Sequence, residues 1–221
     1  MLIGLVGFIG AGKGTVADIL VEKHGFIKES FANSVKDSVS AVFGWDRASL
    51  EGDTPESRAW REQPDEFWSK KFGKPFSPRL ALQLMGTEAG RDVFDRNLWV
   101  YTVERRCDPD KNYVIADVRF PNEIEAIHRM GGKIVRVHRG PNPIWWGEAL
   151  SSNRNKDYDL MRQNYPEVHY SEWAWIGCEY DVSISNNHSL EDLVIVVDNL
   201  AKIVYNNVHV DANEDLNHET F

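Results

Sequence analysis

Lys13 and Thr15 close a glycine-rich stretch, Gly7-Phe8-Ile9-Gly10-Ala11-Gly12-Lys13-Gly14-Thr15. Residues of these types at this spacing suit the gripping of a polyphosphate. Glycines let backbone N–H groups turn inward around an anion with no Cβ in the way. Lys13 adds a full positive charge for the β- and γ-phosphates, and the Thr15 hydroxyl can serve a phosphate or a Mg2+ shell. A second pair stands far along the chain: Asp117 and Arg119, just after the apolar run Tyr113 to Ala116. A carboxylate there can hold Mg2+ or its waters, and a guanidinium beside a phosphate loop makes a phosphoryl-transfer pairing. The competing reading is a structural ion pair at a strand end.

These groups need elements to aim them. LIGLV, before the loop, reads as a buried strand. VADILVEKH, after it, is apolar at Val16, Ile19 and Leu20, the spacing of a helix face. Strand, glycine loop and helix together are the context in which GxxxxGK carries meaning, because the helix points its positive end at the bound anion. Tyr113 to Ala116 reads as a buried parallel strand with Asp117 at its carboxyl end, where ligands of open α/β sheets gather. Arg119 points the same way if that strand continues. GKGT, with the hydroxyl one position late, is the arrangement seen in adenylate kinase and some other small-metabolite kinases. It leans away from switch GTPases and motors.

The rest of the chain divides by composition. FIKESF (26–31) reads as a strand, SVKDSVSAVF as a helix capped at Asn33-Ser34, with Lys36 in its first turn. A lysine there opposes the helix dipole, so a solvated role and a ligand-binding one stand level. Residues 44–78 are polar, hold Trp45, Trp60 and Trp68, and read as an insertion with short helices over one edge of the domain. PRLALQLMGTEAGRDVF opens a helix at Pro78 and offers Arg79, Gln83 and Arg91 as polar groups. Gly86-Thr87 interrupts that helix, which marks close backbone approach, to a ligand or at a crowded crossing. NLWVYTVERR (97–106), which carries Trp99, is a further helix, as is NEIEAIHRM, capped by Asn122. KIVRVHR (133–139) is a strand ending on Arg139. Residues 140–178 read as a second irregular insertion, a lid carrying Arg154, Arg162 and His169. His169 fits no metal pattern. YDVSIS (180–185) is the last strand, Asn186-Asn187 a turn, and Ser189 to Asp192 a capping box for a helix ending near Val204. The acidic segment from Asn206 is expected to be loosely held.

The chain has 221 residues, a net charge of −9 and a pI near 5.3. That length suits one α/β domain over 1–205 carrying the two insertions. So acidic a chain is a poor general binder of nucleic acid or anionic membrane, so its anionic ligand needs a local cationic cluster. Two cysteines, Cys107 and Cys178, suit reduced thiols of a cytoplasmic protein. No leader or membrane-spanning stretch is visible.

The combination of GFIGAGKGTVAD, NSVKDSV, RLALQLMGTEAGRDVFDRNLWV, VIADVRFPNEIEAI, GGKIVRVHR, HYSE and DVSISNNHSLEDL resembles the bacteriophage deoxynucleoside monophosphate kinases. More distantly it is similar to other P-loop nucleoside monophosphate kinases and to phosphomevalonate kinase. The resemblance implies a three-layer P-loop fold, a central parallel sheet of about five strands flanked by helices. It implies transfer of the ATP γ-phosphoryl group to a deoxynucleoside monophosphate, with ATP and Mg2+ as cofactors, and a homodimer stays open. By resemblance Gly10, Gly12, Lys13, Gly14 and Thr15 hold ATP phosphates, with Arg139 a candidate beside them. Thr15 and Asp117 would hold the metal. Lys36, Arg79, Gly86, Thr87, Arg91 and Trp99 fall where the acceptor binds, and Arg119 and Glu123, of the strand-end motif with Asp117, count with them as substrate-binding residues. Lys13, Asp117 and Arg119 would carry the chemistry. The residues by themselves leave two alternatives: a kinase for another small phosphate acceptor, and a nucleotide-gated module without catalysis.

Overall fold

The computed structural model describes the backbone through Glu214 and the side chains through Val204. Residues 215–221, the last part of the segment expected to be loosely held, lie outside the described residues. The first elements in chain order are β1 (Leu2–Val6), α1 (Lys13–His24), β2 (Ile27–Glu29), α2 (Asn33–Phe43), α3 (Pro55–Glu62), α4 (Glu66–Phe72) and α5 (Pro78–Leu84). A π-helical stretch (Met85–Asp92) continues α5 and precedes α6 (Leu98–Arg106). Then come β3 (Tyr113–Ile115), α7 (Pro121–Arg129), β4 (Lys133–His138), α8 (Trp146–Asn155) and α9 (Asp159–Asn164). A short 3-10 turn (Tyr170–Glu172), β5 (Val182–Ser185) and α10 (Leu190–Glu214) complete the order.

The chain forms two compact units, one of Met1–Glu29 and the chain from Asp108 onward, the other of Ser30–Cys107. The first holds the sheet. Its five strands run parallel in the order β2-β3-β1-β4-β5. β1 is central and buried at every residue, which is why LIGLV is an unbroken apolar run rather than an alternating one. Ile3 and Leu5 pack with Val16 and Leu20 of α1 and with Val197 and Leu200 of α10. On the other face Gly4 meets Ile127 of α7. Helices therefore cover both faces, giving a three-layer α/β fold. The parallel register brings the carboxyl ends of β1, β3 and β4 to one edge, and the phosphate loop and Asp117 with them.

Several boundaries differ from expectation for physical reasons. The strand before Asp117 stops at Ile115, so Arg119 is carried on a loop. α7 begins at Pro121 rather than after an Asn122 cap, because proline suits a first helical position where no N–H is needed. Residues 140–178 hold α8 and α9, and their tryptophans are why they stay ordered: Trp173 and Trp175 are buried. The last helix passes Val204 and runs on to Glu214.

The second unit is helical. Val39, Trp45, Leu50, Phe76 and Ala81 form its buried core, with Trp60 and Trp68 packed against it. The three tryptophans are packing groups: Trp45 stacks on Phe43 with ring centroids 4.9 Å apart, and Trp68 Nε1 donates to Phe43 O at 3.0 Å.

Candidate functional site

In the first unit the chain leaves β1, turns through the glycine loop and enters α1 at Lys13. Lys13 Nζ donates to Gly7 O at 2.7 Å and to Phe8 O at 3.0 Å, so its side chain curls back over the loop. Burial pulls its pKa from 10.5 down to about 8. The positive charge of Arg119 pushes the same way, and the carboxylates of Glu172 and Asp117 push back. The loop is thus a place where positive charge is already concentrated. Thr15 is exposed in the first turn of α1, and Gly10 and Gly14 are also exposed. Phe8 anchors the loop to the second insertion, its ring meeting Trp145 at 5.3 Å, Trp146 at 5.8 Å and Trp175 at 5.3 Å.

Asp117 and Arg119 follow β3 at the same sheet edge. Arg119 Nη1 donates to Glu172 Oε1 at 2.5 Å and to Ser171 Oγ at 3.3 Å. Glu123 is buried and spends its carboxylate on backbone: Oε2 accepts from Arg119 N at 2.8 Å and from Phe120 N at 3.1 Å. This is half of a capping box, since Phe120 has no side-chain acceptor. Its effect is to hold the backbone that carries Arg119. Thr15 and Asp117 offer hard oxygen donors of the kind Mg2+ takes. Among the described residues no group of three or more His, Cys, Asp or Glu could hold a metal. Arg139 follows β4 with an exposed side chain, Arg154 is exposed, and Arg162 is 72% exposed beside Asp159.

The second unit carries the other predicted group. Lys36 Nζ donates to Glu51 Oε2 at 2.6 Å with only 13% of its side chain exposed. Arg47 binds the other oxygen of the same carboxylate. Burial alone would raise the Glu51 carboxyl, but the hydrogen bonds from Lys36 and Arg47 outweigh it and hold it below its usual range. The same unit holds a cavity of about 450 Å³, lined by apolar Met85, Ala89, Phe94, Leu98 and Trp99, with Ser34, Ser38, Asp37 and Thr102 as its polar groups. Trp99 is buried, and its Nε1 donates to Gly86 O at 2.8 Å, taking up a carbonyl in the π-helical stretch. A Cβ on Gly90 would lie 2.4 Å from Trp99 Cζ2. The close approach read at Gly86 therefore falls at Gly90, where the widened helix turns toward the indole. Of the predicted acceptor residues Trp99 lines this cavity, while Lys36, Arg79, Gly86, Thr87 and Arg91 do not. Arg79 is half-exposed, 3.9 Å from Glu62, and Thr87 is exposed.

Glu172 and Glu51 were not legible as partners. Glu172 stands in the HYSE stretch, which carried a resemblance but no role. Glu51 lies 15 residues from Lys36 in a polar segment with no periodicity to mark it.

No protein-family model matches the chain. A putative deoxynucleotide monophosphate kinase of Acanthamoeba polyphaga mimivirus is 28% identical over 221 residues, spanning 92% of this chain and 99% of that protein. The deoxynucleoside-5'-monophosphate kinase of Escherichia phage T5 is 48% identical over 54 residues, 23% of this chain and 21% of that one. Among solved structures, shikimate kinase from Aquifex aeolicus vf5 is similar over 94% of this chain and 99% of that one, with a TM-score of 0.43 and 16% identity. The two curated relatives bear out the resemblance read from the sequence, and with the phosphate loop they support a kinase enzyme.

Proposed function

We propose that this chain transfers the γ-phosphoryl group of ATP to a deoxynucleoside 5'-monophosphate, giving the diphosphate and ADP. The observation that carries the proposal is the pairing of Lys13, over the phosphate loop, with Arg119 and Asp117 at the same sheet edge. Phosphoryl transfer asks for positioning and positive charge more than for a nucleophile. Gly10, Gly12, Gly14 and the N-terminus of α1 would bind the ATP phosphates. Lys13 and Arg119 would spread the charge developing on the transferred group. Thr15 and Asp117 would hold Mg2+, which when bound would supply further positive charge against the phosphates. Glu123 would act through Arg119, whose backbone it fixes. Arg139 remains the outer candidate for ATP.

The second unit would take the acceptor. Its apolar cavity at Trp99 suits a nucleobase, whose flat faces are apolar and whose edges need a few polar partners. Lys36, Arg79 and Arg91 would supply charge for the monophosphate, with Gly86 and Thr87 shaping the helical stretch that bears Arg79 and Arg91. The names of the viral relatives support this substrate class, and the reading places the reaction in the cytoplasm of an infected cell. Among the described residues no helix is long and apolar enough to cross a membrane.

The test is ADP formation from MgATP with each common deoxy- and ribonucleoside monophosphate. ADP appearing only with deoxynucleoside monophosphates is the expected result. Acceleration by a non-nucleotide phosphate such as phosphomevalonate, or by no acceptor at all, would overturn the reading.

A further inference from the structure

Asn186 reaches the phosphate loop from the opposite end of the sequence. It is the first residue after β5. Its side-chain Nδ2 donates to Ala11 O at 2.9 Å. A carbonyl oxygen only accepts, so the amide must face it with the nitrogen. The Asn186 backbone N–H donates to His138 O at 2.8 Å, tying the exit of β5 to the exit of β4. Asn187 adds a second tie, its Oδ1 accepting from Gly140 N at 2.6 Å. The amide is therefore held by the sheet itself rather than by a free turn.

What it holds is one peptide plane. In a trans peptide the C=O and the following N–H point in opposite directions. Fixing Ala11 O on Asn186 turns the Gly12 N–H the other way, away from Asn186. Gly12 has φ 98°, and a Cβ there would lie 2.3 Å from Asn186 Nδ2, so the amide packs directly against the glycine. A loop with glycines at 7, 10, 12 and 14 has little intrinsic resistance to a peptide flip. An N–H set before the anion arrives spares the ligand the cost of ordering it.

We propose that Asn186 is a positioning residue for the donor nucleotide: it locks the Ala11–Gly12 peptide so that Gly12 N–H is presented to a polyphosphate. The proposal rests on the donor-site reading above. Its test is calorimetric titration of MgATP into the whole protein and into the variants Asn186→Ala, Asn186→Asp and Asn186→Leu. Asn186→Asp keeps the size and removes the donor but adds a negative charge, so the neutral Asn186→Leu, of similar size and without a donor, carries the test alone should Asn186→Ala not fold. The expected result is a Kd for MgATP raised about tenfold, the loss of one well-formed hydrogen bond at the site, with the ligand-free melting midpoint close to that of the parent. In turnover the rise falls on KM for ATP and leaves KM for the acceptor unchanged. Gly12→Ala costs less additional ATP affinity in the Asn186→Ala background than alone, because the contact at Nδ2 is gone. Variants that bind MgATP as tightly as the parent overturn the proposal, as does a fall in melting midpoint with ATP affinity kept. A parent protein that binds no MgATP overturns the donor-site reading and this proposal with it.

Discussion

Lys13 offers the sharpest check on the donor site, because its proton should follow the nucleotide. Burial first, and the Arg119 charge second, bring its pKa to about 8. At pH 8 the lysine is then half protonated in the free protein. A polyphosphate seated over the loop puts negative charge beside it and favours the ammonium form. Returning the pKa from about 8 to the ordinary 10.5 corresponds to roughly 3 kcal/mol of coupling between proton and anion. Binding of MgATP at pH 8 should take up about half a proton, and at pH 6.5 almost none from this residue. The apparent Kd should be roughly tenfold weaker at pH 9 than at pH 7, as the fraction of ammonium falls. The assay is titration calorimetry in two buffers of different ionisation enthalpy, with Lys13→Met as the control. Equal heats in both buffers at pH 8, or the same uptake in Lys13→Met, would refute the assignment of Lys13 to the phosphates.

Other consequences follow from the same contacts. The folded-state pKa of Lys13 lies below the unfolded value, so between pH 8 and 10.5 the unfolded chain binds more protons and this group's contribution to stability rises with pH. Urea denaturation should accordingly show Lys13→Met more stable than the parent at pH 7, by up to about 3 kcal/mol, with the gap closing toward pH 10.5. Gly90→Ala would press a methyl group onto the Trp99 indole and the Met85 carbonyl; a stability loss of about 1–3 kcal/mol and a raised acceptor KM are expected from denaturation and kinetics. Glu51→Gln releases Lys36 from its ion pair. It should cost less than about 1 kcal/mol, as partly exposed pairs do, and lower the acceptor KM in steady-state assays. Asp117→Asn should shift the Mg2+ dependence of turnover to higher concentration, measured by metal titration.

The three inner strands of the sheet were legible because they are largely buried and so appear as short apolar runs: LIGLV, YVI and the core of KIVRVH each stand out from polar flanks. The phosphate loop was legible for a different reason, since its chemistry is carried by one contiguous segment. Asp117 and Arg119 were placed by their distance from a strand, although the strand ends sooner than Arg119 needs, and the Glu123 cap does the positioning instead. Partners across the chain were not legible. Lys36 stands out in the sequence and Glu51 does not, because an ion pair between a helix and an irregular segment leaves no period. Gly86 drew attention by interrupting a helix former. The crowded glycine is Gly90, because a π-helical stretch changes which residues share a face, and no pattern of 3.6 anticipates it. Asn186-Asn187 read as a turn for the good reason that asparagines favour turns, and its bond to Ala11, 175 residues away, was beyond any local signal.

Lys13 and Arg119, the two cations of the proposed donor site, already have partners inside the fold. Lys13 donates to the Gly7 and Phe8 carbonyls, and Arg119 to Glu172. An incoming anion must therefore exchange with these groups rather than simply add to them. Exchange lowers the affinity that two cations would otherwise give, since each internal contact has to be surrendered. The penalty is not equal for all anions. On the proposed donor-site reading, inorganic phosphate would displace fewer of these contacts than a triphosphate, whose several charged groups could compete for Lys13 and Arg119 together. Discrimination for a polyphosphate would then come from the Gly7 and Phe8 carbonyls and from Glu172, acting as internal competitors for the two cations. On this argument Glu172→Gln weakens the competition at Arg119, and inorganic phosphate should gain affinity relative to MgATP. A displacement titration that shows their ratio unchanged would remove Glu172 from the account of selectivity.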